Sequence, residues 1–131
     1  TSISWIMIKF EEEFSMKSIP QPLLWKYITE PALLTEWFAD KVTKTDKTYH
    51  FTWSDNTQSA TQIAQRNGTY VRLHWDDSDD PKSYFEMKIT HNELTRGRML
   101  IITDFAEPDE VESSRNLWIK QVNVLKRILG C

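Results

Sequence analysis

The chain has almost no cysteine and almost no glycine: one Cys, at the last position, and three Gly in 131 residues. Cys131 alone cannot close an intrachain disulfide, and a reducing compartment fits best. It also leaves no internal thiol as a nucleophile, and there is no G-x-S-x-G motif. Gly68, Gly97 and Gly130 each fall where a turn or a helix end needs them, so none remains for a loop that cradles phosphate. No apolar run approaches the ~20 residues that span a bilayer, and no signal-peptide core is present. Positive charge is not in excess either. Sixteen Lys and Arg face nineteen Asp and Glu, a formal charge of −3, which favours neither a nucleic acid nor an anionic membrane surface. A cytoplasmic protein is expected. With no initiator Met, Thr1–Ile6 are read as an interior start or an added segment, and Met7 as the alternative natural beginning.

Aromatic residues, by contrast, are plentiful: six Trp, six Phe and four Tyr. At about 150–250 Å² each, a few of them dominate a core or line a pocket. The length suits one domain over 1–131, and no repeat or linker divides it.

Ile6, Ile8, Phe10, Phe14 and Met16 alternate with Lys9, Glu11, Glu13 and Ser15, which predicts a strand with one wet face; Glu12 falls on its apolar side. Pro22 and Pro31 each suit the start of a short helix, the first with Leu23, Leu24, Tyr27 and Ile28 on its apolar face, the second with Leu33, Leu34, Trp37 and Phe38. Six strands are expected between Val42 and Phe105. Among them, Tyr49, Phe51 and Trp53 share one face, as do Val71, Leu73 and Trp75, and Phe85, Met87 and Ile89. Asn67-Gly68 is a strong hairpin signal of the type I′ kind. Gln58–Arg66 is more polar and reads as a poorly covered strand that could expose an edge. Met99–Ile102, apolar on both faces, reads as a central strand covered twice. A final helix carries Val111, Ser114, Leu117, Trp118, Gln121, Val122, Leu125, Ile128 and Leu129 on one stripe, with acidic residues at its start, Lys126 and Arg127 near its end and Gly130 as its cap.

Strand, two helices, six strands and a long helix make an α+β helix-grip layout, a curved sheet gripping the C-terminal helix. Within it, Trp37-Phe38-Ala39-Asp40, Leu73-His74-Trp75, Tyr84-Phe85-Glu86, Leu94-Thr95, Thr103-Asp104-Phe105-Ala106 and Leu117-Trp118 followed by Gln121 resemble the START-like proteins of Bacteroidetes. Those are similar to the homologues of activators of the heat-shock ATPase, within the wider Bet v 1/START superfamily. The resemblance runs from about Lys9 to Gly130. It implies a seven-stranded antiparallel sheet wrapped around the C-terminal helix, often with an apolar cavity between. Members of the superfamily bind lipids, sterols or polyketides, and some act as cyclases or as co-chaperones.

The first candidate site is that cavity, lined by Trp37, Phe51, Trp53, Leu73, Trp75, Phe85, Met87, Trp118, Gln121 and Val122. Trp53, Trp75, Phe85 and Trp118 would give contact area, and Gln121 would orient a polar head. The plainer reading, a core that these rings simply fill, weighs equally. Glu12 and Glu86 could titrate as buried carboxylates, but pairing with Arg72 or Lys88, or a place at a bulge or strand end, is the more ordinary explanation. Asp104 is expected to cap backbone N–H groups on the way into the last helix. Asp76–Asp80 lacks the glycine and terminal Glu of a calcium loop, and His50, His74 and His91 lack metal-ligand spacing. The sequence thus predicts a non-catalytic module for a small hydrophobic or lipid-like ligand, without metal or cofactor, as a monomer or weak dimer. A co-chaperone-like protein-interaction domain is the second reading, and a cyclase or hydrolase using Glu12 the third.

Overall fold

The computed structural model describes residues 7–94 and 96–131; Ile6 in the expected first strand and Thr95 in the Leu94-Thr95 pair lie outside them. The elements run β1 (Ile8–Ser15), α1 (Gln21–Thr29), α2 (Pro31–Trp37), β2 (Lys41–Thr45), β3 (Thr48–Trp53), β4 (Asn56–Arg66), β5 (Tyr70–Trp75), β6 (Phe85–Asn92), β7 (Gly97–Ala106) and α3 (Val111–Leu129). The seven strands form one antiparallel sheet in the order β1-β7-β6-β5-β4-β3-β2. Strands β2 to β7 follow one another as hairpins, and β1 then pairs with β7, so the sheet's two edges are the first two strands of the chain. The connection between them must cross the whole sheet, and α1 and α2 supply it. α1 buries Leu24 and Ile28, and α2 buries Leu34 and Trp37, the i and i+3/i+4 positions of each apolar stripe.

α3 is 19 residues long, about 28 Å at 1.5 Å per residue. It lies over β1 and β7 and against α2, and buries Trp118, Val122 and Leu125. Gly130 ends it at φ 79°, in the left-handed region that glycine enters without penalty, and its N–H and that of Cys131 return to the carbonyls of Arg127 and Lys126. The apolar stripe is narrower than its sequence period indicates, because Leu117 and Ile128 are exposed.

Three sequence expectations are corrected by the pairing. β4 is no edge: it bonds β3 on one side and β5 on the other, and a register shift between Gln62 and Ala64 sets Ile63 outward. β7 lies between β1 and β6 but is covered by helices on one face only, so Met99 and Ile101 remain half-buried on the other. The β4–β5 turn is not type I′, which needs positive φ at both central residues; only Gly68 (φ 77°) is left-handed, and Thr69 N–H closes the turn onto the Arg66 carbonyl at 2.9 Å.

Candidate functional site

The register puts Phe51, Trp53, Leu73, Trp75, Phe85, Met87, Leu100, Ile102 and Asp104 on the same sheet face, beneath α3. The middle of the space between sheet and helix is filled. Phe51, Phe85, Met87 and Val122 are fully buried, and Leu73 nearly so. Phe38, the residue that caps α2, is the hub of this packing: its ring centroid lies 4.8 Å from Phe51, 5.5 Å from Trp118, 5.7 Å from Trp53 and 6.0 Å from Phe85. The contacts with Phe51 and Trp53 are edge-on, that with Trp118 is tilted and that with Phe85 is stacked, and edge-on and offset-stacked pairs are the arrangements that aromatic quadrupoles favour.

Space reappears at the rim of the sheet. A cleft of about 470 Å³ lies where β3 and β5 end in Trp53 and Trp75, beside the N-terminal half of α3. Phe38, Trp53, Trp75, Phe105 and Trp118 wall it, and Leu117, 56% exposed, stands at its mouth. Its polar groups come from Gln58, Ser78, Ser83, Tyr84, Asp104, Ser114 and Gln121, and none of the described lining residues is Lys, Arg or His. Of the ten residues expected to line a cavity, Trp53, Trp75, Trp118 and Gln121 meet here. Phe51, Leu73, Phe85, Met87 and Val122 lie behind the cleft in the filled core. Trp37 faces a smaller hollow between α2 and α3, about 280 Å³, and its indole N–H donates to the Tyr27 carbonyl at 2.8 Å.

Gln121 is held by its own amide. Its Nε2 donates to the Phe38 carbonyl at 3.0 Å, and the Trp53 indole donates to the same oxygen at 2.9 Å. Because that carbonyl can only accept, the amide cannot be flipped, and the Gln121 Oε1 remains an open acceptor.

α3 follows Glu110 without a side-chain cap, and Asp104, expected to cap backbone N–H groups on the way into that helix, lies within β7 instead. Its Oδ1 accepts the Phe105 backbone N–H at 2.7 Å, a local bond of the expected kind. Its Oδ2 accepts the Trp118 indole N–H at 2.8 Å, which ties β7 to α3 across the cleft. Burial pushes its pKa up to about 6, even though both N–H donors favour the ionised form. In the structure Leu100, Ile102 and Ala106 point inward and Asp104 shares their face; the sequence left the inward face of this strand open, because Met99–Ile102 is apolar on both sides.

Glu12 and Glu86, the other two candidate carboxylates, are paired. Glu12 Oε1 lies 3.1 Å from Arg115 Nη1, with the Arg115 guanidinium over the Phe10 ring. Glu86, on the outer face, takes both Nε and Nη2 of Arg72 at 3.0 and 2.8 Å. His50 and His74 bond Ser59 Oγ and the Ser83 carbonyl, and among the described residues no three His, Cys, Asp or Glu side chains gather as a metal site. No described helix is long and apolar enough to cross a membrane.

A family model described as the START-like superfamily domain matches residues 6–131. A solution NMR structure of a Bacteroides fragilis protein is 38% identical, covering 93% of this chain and 90% of its own, with a TM-score of 0.65. The Aha1 dimer from Colwellia psychrerythraea, 14% identical, superposes with a TM-score of 0.76 over 94% of this chain and 96% of its own. DynU16, from the dynemicin biosynthetic locus, gives a TM-score of 0.78 at 16% identity over 93% of this chain and 47% of its own. The last two likenesses show shared fold alone. No curated protein matches the sequence.

Proposed function

This chain belongs to the START-like superfamily, and we propose that it is a non-catalytic binding module holding a small hydrophobic or lipid-like ligand in the rim cleft. The observation that carries the reading is the contrast between a filled core and an aromatic-walled cleft of about 470 Å³ at its end. That volume falls within the range of small-molecule sites, which are largely apolar with a few placed polar groups. Trp53 and Trp75 are only partly buried and, with the buried Trp118, border open space. Trp53, Trp75 and Trp118 supply contact area, Phe85 backs them, and the Gln121 Oε1 takes a hydrogen bond from the ligand's head. A ligand confined to the rim is smaller than one that would fill the whole space between sheet and helix.

A catalytic role for Glu12 draws no support from the salt bridge that engages it. The protein-interaction reading draws on the likeness to Aha1, which is one of fold. Its apolar exposure is spread over several elements: Ile8 on β1, Leu23 on α1, Ile63 on β4 and Ile128 on α3.

Native mass spectrometry of protein purified without delipidation tests the binding reading. A discrete added mass that is lost on denaturation is expected, and it should fall in Gln121→Leu, which keeps the side chain's bulk and removes the acceptor. An added mass that Gln121→Leu leaves untouched removes that residue from the site. A bare chain in wild type, together with co-purification of a stoichiometric protein, favours the co-chaperone-like reading.

A further inference from the structure

We propose that the ligand taken by the rim cleft carries a protonated amine on an apolar body, with the ammonium held against Asp104 and the body lying over Trp53 and Trp75. The inference rests on the hydrophobic-ligand reading and adds the sign of the ligand's charge.

The polar groups around the cleft are unbalanced. Asp104 brings a carboxylate into a wall of indoles, and no described cation lies within salt-bridge distance of it. Its two hydrogen bonds, from the Phe105 amide and the Trp118 indole, occupy one lone pair on each oxygen and leave others open. The Gln121 Oε1 is a second acceptor, fixed in orientation by the Phe38 carbonyl. A carboxylate, an amide oxygen and the neighbouring Trp53 and Trp75 rings are together what an ammonium on an apolar body requires: charge-assisted hydrogen bonds for the head and aromatic surface for the body. A fatty acid or other anion would instead face Asp104 with no cation to offset the repulsion. The approach has the same sign, since Asp79, Asp80 and Glu107 line the hollow that adjoins the cleft through Met7 and Ser78.

The charged groups near Asp104 do not alter this balance. On β1, Phe10 sits opposite it and Glu12 lies one inward position further along. On α3, Arg115 is committed to Glu12 at 3.1 Å. Tyr84 borders the cleft with its ring edge-on to Phe105, and Glu107 follows β7 with a further negative charge. At neutral pH Asp104, with its pKa near 6, is ionised and desolvated, the state in which an ammonium gains most.

Three probes of one shape separate the charge assignment from the cleft itself: phenylbutylamine, phenylbutanol and phenylbutyrate, titrated into the full chain by tryptophan fluorescence near pH 7.5. The amine should bind about tenfold or more tighter than the alcohol, with the carboxylate weakest. In Asp104→Asn the ratio of amine to alcohol affinity, compared within the variant itself, should fall to about one, whatever the loss of one of the two N–H bonds to this side chain does to both probes together. The wild-type protein gives a second arm that needs no substitution. Near pH 5 the amine should lose its advantage as Asp104 takes up a proton, whereas surface carboxylates of ordinary pKa stay ionised. Equal binding of the three probes, or an amine preference that survives both Asp104→Asn and the pH change, overturns the charge assignment and leaves the hydrophobic cleft standing. Failure of all three to bind the wild-type protein removes both.

Discussion

A carboxyl group set among indoles can shed its charge or meet a cation, and Asp104 has only N–H donors to hold its charged form. Its folded pKa, about 6, lies above its ordinary 3.8. The sign of the consequence follows from linkage: where the folded state holds a proton that the unfolded state has released, stability falls as pH rises. The full contribution is present below about pH 4, declines between about 4 and 6, and is gone above that. At ~1.4 kcal/mol per pH unit, the decline amounts to about 3 kcal/mol at most. Denaturant titrations across this window should show that slope in wild type and a flatter one in Asp104→Asn. An unchanged slope in the variant assigns the titration to another group. The sequence of β7 did not disclose which way Asp104 points, because Met99–Ile102 is apolar on both faces. Its environment was not legible in the sequence, because the partner indole comes from a helix 14 residues further on and desolvation depends on how closely the rings around it pack.

Elements were more readable than residues. Period-2 alternation marked the strands, prolines marked the starts of both short helices, and Gly130 marked the end of α3, because these signals act over a few residues. What escaped was strand order. Polar composition marked β4 as a candidate edge, yet β3 and β5 flank it through two short turns. β1 finds β7 across most of the chain, with Ile8 opposite Ala106, and no local pattern encodes such a pairing. The Asn67-Gly68 signal identified a turn but not its type, which depends on the backbone of both central residues. Glu12, out of place on the inward face of β1, is explained by the other long element: Arg115 of α3 reaches down to it. Both side chains keep some solvent contact, so the pair is worth little more than an exposed one. A double-mutant cycle with Glu12→Gln and Arg115→Met should give a coupling of about 1 kcal/mol that shrinks in high salt. Coupling near zero would mean that α3 is held on β1 by apolar contact alone.

At the scale of the molecule, a START-like sheet and helix enclose a space that this chain fills with its own aromatic side chains except at one rim. Bulky rings account for that. Phe38, carried on the α2 crossover, occupies the centre and leaves Trp53, Trp75 and Trp118 as the boundary between core and cleft. The measurement that tests this most directly is a titration of the full chain with phenylbutanol, followed through the indole N–H NMR signals. Trp53, Trp75 and Trp118 should shift together along one binding curve, while Trp25 on α1 and Trp37 on α2 stay in place. Shifts centred on Trp25 or Trp37, or no saturable shift at any indole, would contradict a ligand site at the rim.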